Sequence, residues 1–111
     1  MRQAGWFDLA LLFLGLRRRF RVEGDSMLPT LRSGVIVLVK SGKNVSAGDV
    51  VLATHPYKNS NIVKRIAAIS LDGKVSLIGD NPSESTDSRA FGEVSLDCLI
   101  GKVECVVERN V

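Results

Sequence analysis

Asn61-Ile62-Val63-Lys64-Arg65-Ile66-Ala67-Ala68-Ile69, followed across Leu71-Asp72-Gly73 by Lys74-Val75-Ser76-Leu77-Ile78, reads as a β-hairpin. Both runs are rich in β-branched residues, and Asp-Gly between such runs is a strong signal for a tight hairpin turn. Working outward, Val35-Ile36-Val37-Leu38-Val39 is a β-branched run bounded by Ser33-Gly34 and Ser41-Gly42, hence a buried strand. Lys43 to Gly48 forms a loop into a further strand, Asp49 to Ala53, and His55 to Asn61 is a polar connection back to the hairpin. Beyond the hairpin, Gly79 to Arg89 is a loop, Ser95 to Leu99 one helical turn, and Ile100 to Glu108 a last strand. The expected fold is mainly β, a small coiled antiparallel sheet or partly open barrel of about five to seven strands with a short N-terminal helix.

A chain of 111 residues with 45% apolar and 24% charged residues can bury one modest core. Its net charge of +3 is unevenly placed: residues 1–21 hold five arginines against Asp8, and the remainder carries a net −1. The basic character is confined to the N-terminal arm, and six Phe, Tyr and Trp residues leave little for base stacking, which argues against a nucleic-acid partner. We therefore divide the chain into an apolar helix with a basic segment, residues 1–19, and a body, residues 20–111. The apolar run Trp6 to Leu16, closed by Arg17-Arg18-Arg19, has eleven residues. As a helix it spans roughly 16 Å against a hydrocarbon core of about 30 Å, so it is not expected to cross a bilayer unaided. The cationic cluster follows the apolar run, the reverse of a cleaved signal peptide. Two readings stand: residues 6–19 cover an apolar protein surface, or they make a peripheral membrane contact with the arginines at the headgroups.

Two positions carry chemistry. Ser26 lies in Gly24-Asp25-Ser26-Met27-Leu28-Pro29-Thr30, where Gly24 permits a sharp turn and Pro29 fixes its own φ and restricts Leu28. A hydroxyl on such a stiff corner suits a nucleophile, with backbone N–H groups near Ser26 facing a developing oxyanion. Its base is Lys64 or the single histidine, His55. Alternation along the strand puts Lys64 in a row with Ile62, Ile66 and Ala68, and burial in such a row favours the neutral amine. Arg65 has apolar neighbours too, so alternation leaves open which of the two points inward. A base must release a proton, and guanidinium does not. His55 sits in a polar segment with no acid close in sequence to orient it.

Three stretches, Gly24 to Thr30, Val63-Lys64-Arg65-Ile66, and Gly79-Asp80-Asn81-Pro82-Ser83-Glu84-Ser85-Thr86-Asp87-Ser88-Arg89, resemble in type and order the signature boxes of the type I signal peptidase family of Ser/Lys proteases. The resemblance runs from about Arg21 to Val103. It implies that Ser26 is the nucleophile, Lys64 the general base, Ser85 the hydroxyl orienting the lysine amine, and Asp87 with Arg89 an ion pair supporting the site. It also implies the same mainly-β fold, and an extended precursor bound as an added strand. Two features depart from the pattern: Gly24 stands where some members carry a hydroxyl donor to the oxyanion, and the apolar arm is shorter than a spanning segment.

Small size and few insertions make the chain most similar to the subgroup that matures nickel-type superoxide dismutase, which implies removal of a short N-terminal propeptide by a cytoplasmic or membrane-associated serine endopeptidase. The alternative is signal peptidase-type or organelle inner-membrane-type processing of exported precursors. A remoter one is a self-cleaving regulatory domain. Cys98 and Cys105, in apolar surroundings, read as small buried hydrophobes, and no metal or organic cofactor is expected.

Overall fold

The computed structural model describes residues 1–84 and 86–107. Seven strands form one antiparallel sheet, β1 (Arg18–Arg21), β2 (Ile36–Ser41), β3 (Val50–Thr54), β4 (Asn61–Ile69), β5 (Lys74–Ile78), β6 (Val94–Ser95) and β7 (Leu99–Val107). Their spatial order is β1-β2-β7-β3-β4-β5-β6. Helix α1 (Trp6–Phe13) precedes β1, and a short helix α2 (Ser88–Phe91) lies between β5 and β6. The last long strand inserts between β2 and β3, so the middle of the sheet exists only once the C-terminal segment is in place. Close approach of β7 to β2 explains Gly101: a β-carbon there would overlap the Lys40 carbonyl. Register shifts at Leu38/Val39, Leu52/Ala53 and Ile66/Ala68 interrupt the ladders and coil the sheet into an open half-barrel.

Apolar side chains collect on both faces. Val37, Val39, Val50, Leu52, Val63 and Val103 build one cluster with Val22, Met27 and Leu31, while Val51, Ala53, Ile66, Val75, Leu77 and Leu99 build the other. Strand β3 feeds both, which is why Val50 to Ala53 is continuously apolar instead of alternating.

The hairpin forms as expected, with Gly73 at φ +81°. Several boundaries differ from the sequence reading. The strand expected at Val35 begins at Ile36, because Val35 closes a turn in which its N–H donates to the Arg32 carbonyl and its own carbonyl accepts from Val22. Arg18 and Arg19, read as part of an arm, pair in β1 with Val39 and Leu38. The row through Lys64 is broken after Ile66 by the bulge, and Ala68 is exposed. Neither α2 nor the two-residue β6 was anticipated, although Asp87 before Ser88 is an N-cap signal and its carboxylate accepts from the Arg89 N–H. The helical turn is a 3₁₀ turn, Leu96–Cys98. Strand β7 is followed to Val107, and Glu108, expected to end it, lies outside the described residues. Cys105 is buried and Cys98 half-buried, both as free thiols.

Candidate active site

The turn that carries Ser26 is anchored from both sides of the hydroxyl. Met27 and Leu31 plunge into the first apolar cluster, and the Leu31 N–H donates to the Met27 carbonyl at 2.9 Å. Gly24 holds φ +80°, a conformation that strongly favours glycine, and its N–H donates to Ser33 Oγ at 3.0 Å. The Leu28–Pro29 bond is cis. Ser26 is left half-buried at the mouth of a cleft of about 470 Å³. Phe20 to Glu23 form one wall, and Ser60 to Lys64 form the other.

Lys64 lines the same cleft. It pairs in register with Val51 and is only 4% exposed, whereas the neighbouring Arg65 pairs with Val50 and turns to the opposite face, half-exposed. The structure thus settles which of the two points inward. Burial is the main cause that holds the Lys64 amine below the ordinary lysine range; the nearby Asp87 carboxylate pulls it up and Arg89 pushes it down. Among the described residues no hydrogen bond joins Ser26 directly to Lys64. His55 is not among the residues lining the cleft. Its Nδ1 accepts the Tyr57 N–H at 3.0 Å, and its ring sits edge-on to Phe91 with centroids 5.1 Å apart.

Asp87, 1% exposed, accepts from the Gly79 N–H at 2.8 Å and from Arg89 through Nε at 2.9 Å and Nη2 at 2.5 Å. Asp87 and Arg89 thus form an ion pair, and the Gly79 N–H on the same carboxylate ties the start of the loop to its end. Ser85, expected to orient the lysine, lies outside the described residues.

Four residues that sequence reasoning left without a role tie the three boxes together. Asp80 accepts Arg65 Nε and Nη2, each at 2.8 Å, and the Thr30 hydroxyl at 2.5 Å. The Asn81 N–H donates to the Ser26 carbonyl at 2.8 Å, and Asn81 Nδ2 to the Asp25 carbonyl at 3.0 Å. One carboxylate thereby bridges the serine turn and the lysine strand, and the adjoining Asn81 fastens the third box to the serine turn. All four lie inside the quoted boxes, so the signal was there, but pairing across about fifty residues cannot be read from spacing. The Arg65 guanidinium, then Thr30, hold the Asp80 carboxyl below the usual carboxylate range against the opposing effect of burial. Asp80→Ala is expected to lower unfolding free energy by about 1–3 kcal/mol in urea titrations near neutral pH. The folded-state pKa is depressed, so the carboxylate's contribution is complete above the unfolded value of about 3.9 and fades as pH falls through the lower folded one. The gap between wild type and variant should narrow accordingly in acid.

Strand β4 pairs with β5 only from Arg65 onward, so residues 61–64 are bonded to β3 on one side and present their other edge to the cleft. An extended peptide can add there as a strand, passing both Ser26 and Lys64. Among the described residues no cluster of His, Cys, Asp or Glu could hold a metal ion.

A curled antiparallel sheet thus brings a turn serine and a buried lysine into one cleft. The chain belongs to the Peptidase S24-like family, whose profile matches residues 19–103. It is 38% identical over 77 residues to signal peptidase I of Streptococcus pneumoniae, covering 65% of this chain and 38% of that protein. It is 30% identical over 105 residues to mitochondrial inner membrane protease subunit 1 of Homo sapiens, covering 73% of this chain and 63% of the relative. The Schizosaccharomyces pombe protein of the same name is 33% identical over 105 residues, covering 73% and 67%. The chain thus spans between 38% and 67% of the length of these curated relatives.

Proposed function

We propose that the chain is a serine endopeptidase of the signal peptidase type, which removes N-terminal segments from precursor proteins with a Ser26/Lys64 dyad. The observation that carries this reading is a lysine buried to 4% exposure and a turn serine lining one cleft. Neutral Lys64 Nζ takes the Ser26 hydroxyl proton as Oγ attacks the scissile carbonyl. The tetrahedral oxyanion is met by the Ser26 backbone N–H, which donates to no other group among the described residues. Gly24 brings no side-chain donor, and its own N–H is engaged by Ser33. Protonated Lys64 then delivers its proton to the leaving amine, and a water activated by the same lysine hydrolyses the acyl-enzyme. Ser85 is assigned the orienting of the amine, and the Asp87–Arg89 pair the support of that loop.

The substrate class is precursors of the kind handled by signal peptidases and inner membrane proteases, as the names of the relatives suggest. Nothing in those names points to a nickel-type superoxide dismutase, so that propeptide, expected from the sequence resemblance, is no longer the leading substrate. Incubating the chain with a set of precursor proteins and sequencing the new N-termini tests the reading. Cleavage at a single site, absent in controls without the chain, is the expected result. Failure to cut any exported or organelle-targeted precursor would remove it.

A further inference from the structure

Helix α1 is built inside out. Its buried residue is the charged one, Asp8, while Trp6 (91%), Phe7, Leu9 and Phe13 (92%) stand exposed, followed by Leu14 and Leu16 just beyond the helix. A helix packed on a soluble domain ordinarily turns its apolar stripe inward, and a contiguous exposed apolar ridge marks an interaction surface.

The ridge is held rigidly. Asp8 accepts two hydrogen bonds from Arg2, at 2.7 and 2.9 Å, and one from the Gly5 N–H at 2.8 Å. Residues before the helix are pinned to β7, the Ala4 N–H donating to the Val106 carbonyl and the Val106 N–H to the Arg2 carbonyl. Beyond it, Arg17 Nε bonds Glu104 at 2.5 Å. These bonds, with Leu11 and Leu12 half-buried beside Asp8, hold the helix in its inverted orientation.

The same bonds sort the charges. Among the described residues, the acids near the helix, Asp8 and Glu104, are engaged by Arg2 and Arg17. Cations remain outside: Arg18, Arg19 and Lys40 are exposed and make no ion pair among the described residues. Arg19 stands opposite Leu38 and Lys40 opposite Lys102, and Leu38 and Lys40 share one face of β2. Cys105, paired with Leu38, shares that face, and its chain neighbours Glu104 and Val106 bond Arg17 just after the helix and Ala4 just before it. Helix α1 and the basic row thus belong to the same side of the sheet.

We propose that this side docks on an anionic lipid surface, with Trp6, Phe7, Phe13 and Leu14 at the acyl boundary and Arg19 and Lys40 at the headgroups. An aromatic and leucine ridge beside exposed cations, with the carboxylates of Asp8 and Glu104 held in ion pairs, complements a negatively charged bilayer interface. Among the described residues no helix is long and apolar enough to cross a membrane, and a ridge flanked by headgroup cations matches a helix lying in the interface. Strand β1 leads from this surface directly into the cleft wall at Phe20.

Trp6 is the only tryptophan, so its emission reports the ridge alone. Titrating the full chain with vesicles of phosphatidylcholine, with and without phosphatidylserine, should give a blue shift and co-sedimentation with the anionic vesicles, both weakened by salt. Arg19→Gln with Lys40→Gln should bind about 30-fold more weakly, from two lost headgroup cations. Phe7→Ser with Phe13→Ser should abolish the shift while circular dichroism and melting stay as in wild type, since both side chains are exposed. No shift with anionic vesicles would overturn the proposal. So would binding indifferent to salt and to the cation variant, or a shift that grows with protein concentration in the absence of lipid, which would mark a protein interface instead. The readout needs no peptide substrate and stands or falls apart from the peptidase reading.

Discussion

Ser26→Ala is expected to lower kcat/KM for precursor cleavage by roughly 10⁴–10⁶-fold, because loss of the nucleophile removes the covalent route and leaves only binding and oxyanion stabilisation. The fold should not notice. The turn is held by Met27 and Leu31 in the core, by the Gly24 N–H on Ser33 and by the Asn81 N–H on the Ser26 carbonyl, none of which involves the serine hydroxyl. Unfolding free energy should stay within about 0.5 kcal/mol of wild type. Cleavage and thermal unfolding are to be measured on the same preparation. A variant that keeps normal cleavage and a normal melt would end the assignment of Ser26 as nucleophile.

The parts of this molecule that were legible in the sequence are those specified locally. The hairpin from Asn61 to Ile78 could be read because Asp72-Gly73 fixes a turn and the flanking β-branched residues fix strands. The placement of β7 between β2 and β3 could not, since nothing local in Leu99–Val107 says which strands it joins. The site divides the same way. Ser26, Lys64, Asp87 and Arg89 sit in short stretches with distinctive composition, and two of them, Asp87 and Arg89, bond each other within one turn. Arg65, Asp80 and Thr30 went unassigned because their bond joins three separate segments, and a bidentate carboxylate pair is visible only in space. The orientation of α1 stayed open between two readings for a related reason. A run of apolar residues after Gly5 invites burial of the apolar face, and only the pairing of Asp8 with Arg2 and the pinning of residues 2–4 to β7 turn it outward.

Lys64→Arg is expected to be inactive, with kcat/KM reduced by roughly 10²–10⁴-fold, although it preserves the positive charge, because a guanidinium stays protonated at any working pH and cannot accept the serine proton. In the wild-type enzyme activity should rise with pH on an ionisation that lies below the ordinary lysine value of about 10.4, since burial is the main influence on this amine and favours its neutral form. Arg89→Gln should move that rise to higher pH: the guanidinium helps keep the amine neutral, and without it the Asp87 carboxylate acts on Lys64 unopposed. The linkage to stability has a definite sign. The folded-state pKa is lowered, so the unfolded chain binds more protons between the folded value and the ordinary one, and stability gains from deprotonation as pH rises through that window. Lys64→Met, which removes the buried amine, should therefore be as inactive as the arginine variant yet melt no lower than wild type near neutral pH. That control answers the objection that Lys64→Arg fails merely because a larger side chain does not fit. His55→Ala should leave the profile unchanged, since the imidazole sits outside the cleft with Nδ1 bonded to the Tyr57 N–H. The measurement is kcat/KM against pH for wild type and the four variants on one precursor. Substantial activity in Lys64→Met, or a collapse in His55→Ala with a rise near the ordinary imidazole value of about 6.5, would transfer the role of base away from Lys64.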